Sequence, residues 1–203
     1  RQIYVDLPEL KEREEIFKVH LAKLKLEPEL DTSFLSKQTP GFSGADIANV
    51  CNEAALTAAR KDKAAIDKQD FLDAVDRIIG GLERKSTIMT DEEKRSIAHH
   101  EAGHATISWL LPYGDPLFKV TIVPRGEAGG YNLMTPREET YFQTKTQLLA
   151  TIAGFMGGRV AEEIFFGDIS SGAHNDIEQA TRIARMMVTE LGMSELGPIK
   201  YDS

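Results

Sequence analysis

The chain has 203 residues, a formal net charge of −8, and hydrophobic and charged fractions of 41% and 28%. That is enough apolar material for one large or two small cored domains, and the acidic balance argues against a nucleic-acid binder, which needs a basic face to neutralise phosphates. One cysteine, Cys51, excludes an internal disulfide, and no apolar run is long enough to span a bilayer.

The first twenty residues are charged throughout, so no signal peptide opens the chain. It begins on Arg rather than Met, and the expectation is a soluble piece of a longer protein, with any membrane anchor outside it. Ile3, Val5 and Leu7 alternate as a short strand stopped by Pro8. Residues 9–23 have helical spacing, with Leu10, Ile16, Phe17, Val19 and His20 toward one side. Asp31 is a candidate cap for a short helix through Leu35, ended ahead of Pro40 and Gly41. Ser43 and Asp46 form a variant capping box. The helix it opens has an apolar face of Ile47, Val50, Cys51, Ala54, Ala55 and Ala58, which makes Cys51 a small core residue. Asp67 opens another helix through Phe71, Ala74, Val75 and Ile78, closed by Gly80 and Gly81.

Composition places a domain boundary here: residues 1–80, a polar connector at 81–90, and a second domain over 91–203. Thr90 and Glu93 form a capping box for a helix of about residues 91–111, broken by Pro112 and Gly114. A strand follows from Phe118 to Pro124, then a Gly-rich turn over Gly126 to Gly130 and a second strand from Tyr131 to Met134. Residues 144–166 read as helix and Gly167–His174 as a loop. A last helix opens at Asn175 or Asp176 and runs to about Leu191. The fold class is mainly α with a small β element.

His100-Glu101-Ala102-Gly103-His104 is an H-E-x-x-H pattern. Helix residues four apart lie on one face, so both imidazoles can reach one zinc ion at about 2.0–2.1 Å. Glu101 is placed to take a proton from a water that zinc acidifies toward a pKa of about 7. Gly103 would let another element pack close. Two solvated histidines on a polar face are the competing reading. Against it stand the capped amphipathic helix and the neighbouring Ile97, Ala105 and Ile107. A catalytic zinc needs a third protein ligand and an open position. Glu162, Glu163, His174 and Asp176 are the candidates, and spacing does not choose among them. Glu162 and Glu163 also suit a surface pair or a hydrogen-bond acceptor behind a ligand histidine, and Asp176 a dipole-favoured carboxylate at a helix start. His99 is expected to point away from the motif's face into solvent.

With these residues in view, the chain resembles the FtsH family of ATP-dependent zinc proteases, which join an AAA module to a metalloprotease. The matching stretches are His-Glu-Ala-Gly-His at 100–104, Val-Thr-Ile-Val-Pro-Arg-Gly at 120–126, Gly-Gly-Arg-Val-Ala-Glu-Glu at 157–163 and Ser-Gly-Ala-His-Asn-Asp at 171–176. The resemblance implies a helical AAA lid followed by a mostly helical zincin-type protease domain. It implies Asp176 as the third zinc ligand and Glu162 or Glu163 as a residue behind the ligands. It further implies Arg1 as an arginine finger acting on a neighbour's nucleotide, with His20, Gly44 and Ala45 near adenine. For Gly44 and Ala45 a tight helix start is the bland alternative. For the whole protein it implies ATP and Mg2+ as further cofactors, a homo-hexamer, and unfolded or membrane protein substrates. The location implied is a bacterial inner membrane with this part in the cytoplasm, or an organelle inner membrane.

The chain lacks the G-x-x-x-x-G-K-[ST] phosphate loop, since Arg84 stands where Lys85-Ser86 would need a glycine. ATP hydrolysis by this chain alone is therefore not expected. The resemblance also implies terminal helices of the protease domain that this sequence is not expected to include. Strand 119–124 is either an edge to which an extended substrate adds or an ordinary hairpin. The rival functional class is a non-catalytic helical adaptor with a structural metal or none; Glu101 argues against it, because a structural site has no use for a base.

Overall fold

The computed structural model describes residues 6–83, 89–125, 129–134 and 142–201. Arg1 and most of the Ile3–Leu7 strand lie outside the described residues, as do the first positions of the Gly126–Gly130 turn. The chain divides into two compact units. The first takes the described residues up to Glu83, with Arg125; the second takes the others.

In the first unit, α1 (Leu10–Leu21), α2 (Thr32–Lys37), α3 (Gly44–Arg60) and α4 (Lys68–Gly80) surround one apolar core. Local signals set where they begin. Asp31 accepts from Ser33 N at 2.9 Å. Ser43 with Asp46, and Asp67 with Asp70, close full capping boxes, each satisfying first-turn N–H groups that no helical carbonyl reaches. Phe17, Leu35, Ile47, Val50 and Phe71 fill the core. Cys51 lies among them, and burial pushes its thiol up to about 12, in keeping with a packing role.

The α1 face differs from expectation. Leu10, Val19 and His20 are exposed, and Arg13 is buried in their place. Its guanidinium donates to Ser36 O at 3.2 Å and Pro8 O at 2.9 Å. Those carbonyls make burial of the charged head tolerable and leave its stem to pack, which hydrophobic periodicity does not register. Asp70 is also fully buried, ion-paired to Lys61 Nζ at 3.0 Å and Lys63 Nζ at 2.9 Å.

The second unit contains α5 (Asp91–Leu110), β1 (Leu117–Thr121), β2 (Tyr131–Met134), α6 (Lys145–Phe166) and α7 (His174–Thr189), with a 3-10 turn at Ser171–Ala173 before α7. β1 is shorter than the expected strand. It pairs antiparallel with β2, and the register slips between Leu117 and Lys119, a bulge that bends the strand. Thr90–Glu93 and Thr144–Gln147 capping boxes start α5 and α6. Among the described residues no helix is long and apolar enough to cross a membrane.

The α5–α6 crossing is a glycine contact. A Cβ on Gly103 would lie 2.3 Å from Gly157 O and 2.7 Å from Ala161 Cβ, and one on Gly157 would lie 2.7 Å from Gly103 O. Backbones approach this closely only where neither residue has a side chain. Gly103→Ala is therefore expected to destabilise the second unit by about 1–3 kcal/mol through overpacking. That sign opposes the gain of about 1 kcal/mol that Ala has over Gly inside a helix. Equilibrium denaturant unfolding measures the balance, and a variant as stable as wild type would contradict the close crossing.

Candidate metal centre

α5 presents His100 and His104 one turn apart, and α6 meets them with Gly154, Gly157, Gly158, Ala161 and Glu162. These α6 positions repeat at three and four residues and so form one face, but a face of small residues. His104 Nδ1 donates to Gly154 O at 2.8 Å, and His100 Nδ1 to Glu162 Oε1 at 2.8 Å. Both partners are acceptors, so each Nδ1 carries the proton and each Nε2 presents a lone pair.

The two Nε2 atoms lie 3.0 Å apart. Asp176 Oδ2 lies 3.3 Å from His100 Nε2 and 3.4 Å from His104 Nε2. Among the described residues this is the one group of three His, Cys, Asp or Glu donors close enough to hold a metal ion. The donor set fits zinc on two grounds. A tetrahedral ion with ligands at about 2.0–2.1 Å keeps its donors about 3.3–3.4 Å apart, close to the triangle found. In addition, two lone pairs and a carboxylate converge with no donor hydrogen among them, an arrangement that calls for a cation. Gly158 keeps the space clear, since a Cβ there would come within 2.5 Å of both Nε2 atoms.

Glu162 has a second task. Its Oε2 accepts from Ser170 N at 2.8 Å and its Oε1 from Ser170 Oγ at 2.9 Å. One carboxylate thus orients the His100 ring and anchors the 3-10 turn that leads to Asp176. Glu163 is exposed and makes none of these contacts, so of the expected pair it is Glu162 that stands behind His100.

The charges follow from the surroundings. Without an ion, protons on the imidazoles take its place: burial pushes Asp176 upward, but hydrogen bonds donated by His100 and His104 outweigh it and bring the carboxyl to about 2. Burial likewise raises Glu162, and the Ser170 amide with His100 brings it below its usual range. For Glu101, buried beside the pair, burial prevails over the nearby histidines and holds the carboxyl above its usual range, which favours a proton acceptor. Asn132 on β2 donates to Glu101 Oε2 at 2.8 Å.

Of the other expected site residues, Arg1 lies outside the described residues. His20 and Ala45 are exposed in the first unit, on α1 and the first turn of α3, with Gly44 beside Ala45. His174 opens α7 and is exposed. His99 is half-buried rather than solvated. Its ring stacks within 4.7 Å of Phe165 and 5.1 Å of Phe166, and its Nδ1 donates to Arg95 O at 2.7 Å. Sequence reading missed Gly154, Gly158, Ser170 and Asn132 as parts of the site. The spacing of Gly154, Gly158 and Glu162 was the available signal for the α6 members.

Residues 87–203 match Peptidase family M41, and residues 29–73 match the AAA+ lid domain. An ATP-dependent zinc metalloprotease FtsH from Parabacteroides distasonis is 57% identical over 198 residues, 98% of this chain and 29% of that protein. Proteins of the same name are 52% identical in Aster yellows witches'-broom phytoplasma (99% of this chain, 30% of that protein) and 52% identical in Bacillus subtilis (99% and 32%). The chain thus spans about a third of the length of these curated relatives.

Proposed function

The chain belongs to Peptidase family M41, and on that premise we propose that His100, His104 and Asp176 hold a catalytic zinc ion in an endopeptidase. The observation that carries this reading is the triangle of His100 Nε2, His104 Nε2 and Asp176 Oδ2, with edges of 3.0, 3.3 and 3.4 Å. The chemistry such an ion supplies is Lewis acidity, toward a water and toward the carbonyl of the bond to be cut.

This chain's residues do the remaining work. Glu101 takes the proton of the attacking water and returns it to the departing amine. Glu162 and the Gly154 carbonyl hold the imidazoles in the tautomer that leaves Nε2 free. Gly158 leaves room at the centre. An extended peptide adds beside residues 119–124 as a further strand, so that recognition falls on main chain rather than side chains.

In the whole protein, residues 1–80 form the end of an AAA module, with 81–90 as linker and 91–203 as the protease domain. Arg1 then acts on the nucleotide of a neighbouring subunit, and His20, Gly44 and Ala45 lie near the adenine of a nucleotide bound with Mg2+. A homo-hexamer anchored in a membrane feeds unfolded or membrane proteins to the zinc sites. The AAA+ lid match and the names of the relatives support this reading. An adaptor with a structural metal remains its rival, and the buried Glu101 beside the donors favours the enzyme.

Metal removal tests the proposal. Full-length protein treated with a chelator should stop cleaving an unfolded protein in the presence of ATP, and added zinc should restore cleavage. Undiminished cleavage after zinc has been stripped would exclude the zinc mechanism.

A further inference from the structure

Asn132 breaks two local rules at once. Asn is depleted in strands, yet it stands in the middle of β2, opposite Val120 of β1. Its Oδ1 is buried with no hydrogen-bond partner among the described residues, which detracts from stability. A residue retained against both strand preference and hydrogen-bond economy points to a role at a site.

Its other amide atom supplies that role. Asn132 Nδ2 donates to Glu101 Oε2 at 2.8 Å and to the Glu101 main-chain oxygen at 3.0 Å. Two acceptors on one nitrogen fix the orientation of the amide, since a flipped group would set oxygen against oxygen. The same side chain grips both the carboxylate and the helix turn that carries it. Glu101 Oε1 takes no hydrogen bond among the described residues. The hairpin comes close to this oxygen at Gly130, where a Cβ would lie 3.0 Å from it and 2.6 Å from Thr121 O. One carboxylate oxygen is thus pinned and the other kept open.

We infer that Asn132 is a positioning residue for proton transfer: it holds Glu101 Oε2 so that Oε1 is the oxygen that receives the proton from the attacking water. The inference rests on the proposed peptidase reading and adds to it a specific division of labour between the two oxygens. The pinned geometry sets the direction of approach of the accepted proton. Gly130, having no Cβ, leaves the space beside the working oxygen clear.

The experiment compares Asn132→Ala and Asn132→Asp with wild type and Glu101→Gln in zinc-loaded full-length protein. Readouts are kcat and KM on an unfolded substrate with ATP, zinc content, and melting temperature. In both Asn132 variants kcat should fall about 10–100-fold, the range for residues that orient a metal site's working groups. KM should stay within about twofold, since the interaction acts on the chemical step. Zinc content and melting temperature of Asn132→Ala should match wild type. Asn132→Asp separates positioning from packing, because it keeps the shape but sets a carboxylate against Glu101 Oε2. Should Ala prove unstable, Asn132→Ser keeps a polar residue in the strand while reaching neither acceptor, and should show the same loss of kcat. A kcat for Asn132→Ala within about threefold of wild type, or full activity of Asn132→Asp, overturns the inference. A loss of zinc or of melting temperature in step with kcat overturns it as well. Retained cleavage by Glu101→Gln marks a failure of the peptidase reading instead.

Discussion

Glu101→Gln is expected to leave zinc content at the wild-type level while cleavage of an unfolded protein falls about 10²–10⁴-fold, the usual share of a positioned acid–base group. Glutamine has the same shape, and its amide oxygen can still accept from Asn132. It has no charge with which to take a proton. The atoms proposed to hold the metal belong to His100, His104 and Asp176, so the substitution leaves all three in place. Zinc content per chain and kcat, measured on one preparation, separate the two effects. Cleavage that stays within about tenfold of wild type would remove Glu101 from the reaction.

Asp176→Ala is expected to act on the metal itself. It deletes one of three donors and the sole carboxylate among them, leaving two neutral imidazoles to bind the ion. Zinc affinity should fall by more than the about 10–100-fold typical of losing a partner behind the ligands, and cleavage should disappear with it. The fold should survive. Asp176 is the acidic residue in the first turn of α7, and a charge at a helix start contributes only about 0.3–1 kcal/mol. Competition with a chromophoric chelator measures the affinity, and circular dichroism checks that α7 remains. Unchanged zinc affinity would mean that Asp176 is not a ligand.

What the sequence made legible was local. Helix starts were readable because each N-terminal signal is complete within four residues: Ser43–Asp46, Asp67–Asp70, Thr90–Glu93. The His100–Glu101–His104 spacing was readable for the same reason, since helical periodicity alone puts both rings on one face. Its convergence with Asp176, 76 positions from His100, was not derivable from spacing. That convergence depends on how α6 and the turn before α7 pack, and only the resemblance pointed to it. Arg13 was missed because hydrophobic patterning assigns no burial to a guanidinium, while the carbonyls that receive it lie in another element. The α6 face was missed because its Gly and Ala residues have almost no side chain from which an amphipathic pattern can be seen. Asn132 was missed because a lone polar residue in a short strand acquires meaning only from what lies across from it.

The Thr90–Glu93 box fixes where α5 begins, and His100 follows Glu93 by about two helical turns. Along that stretch the helix turns by about 100° per residue. One residue inserted between Glu93 and His100 would swing both rings by that angle, off the side where Glu162 and the Gly154 carbonyl wait. An insertion ahead of Thr90 would leave their azimuth untouched. The phase of the two rings is therefore counted from a single threonine.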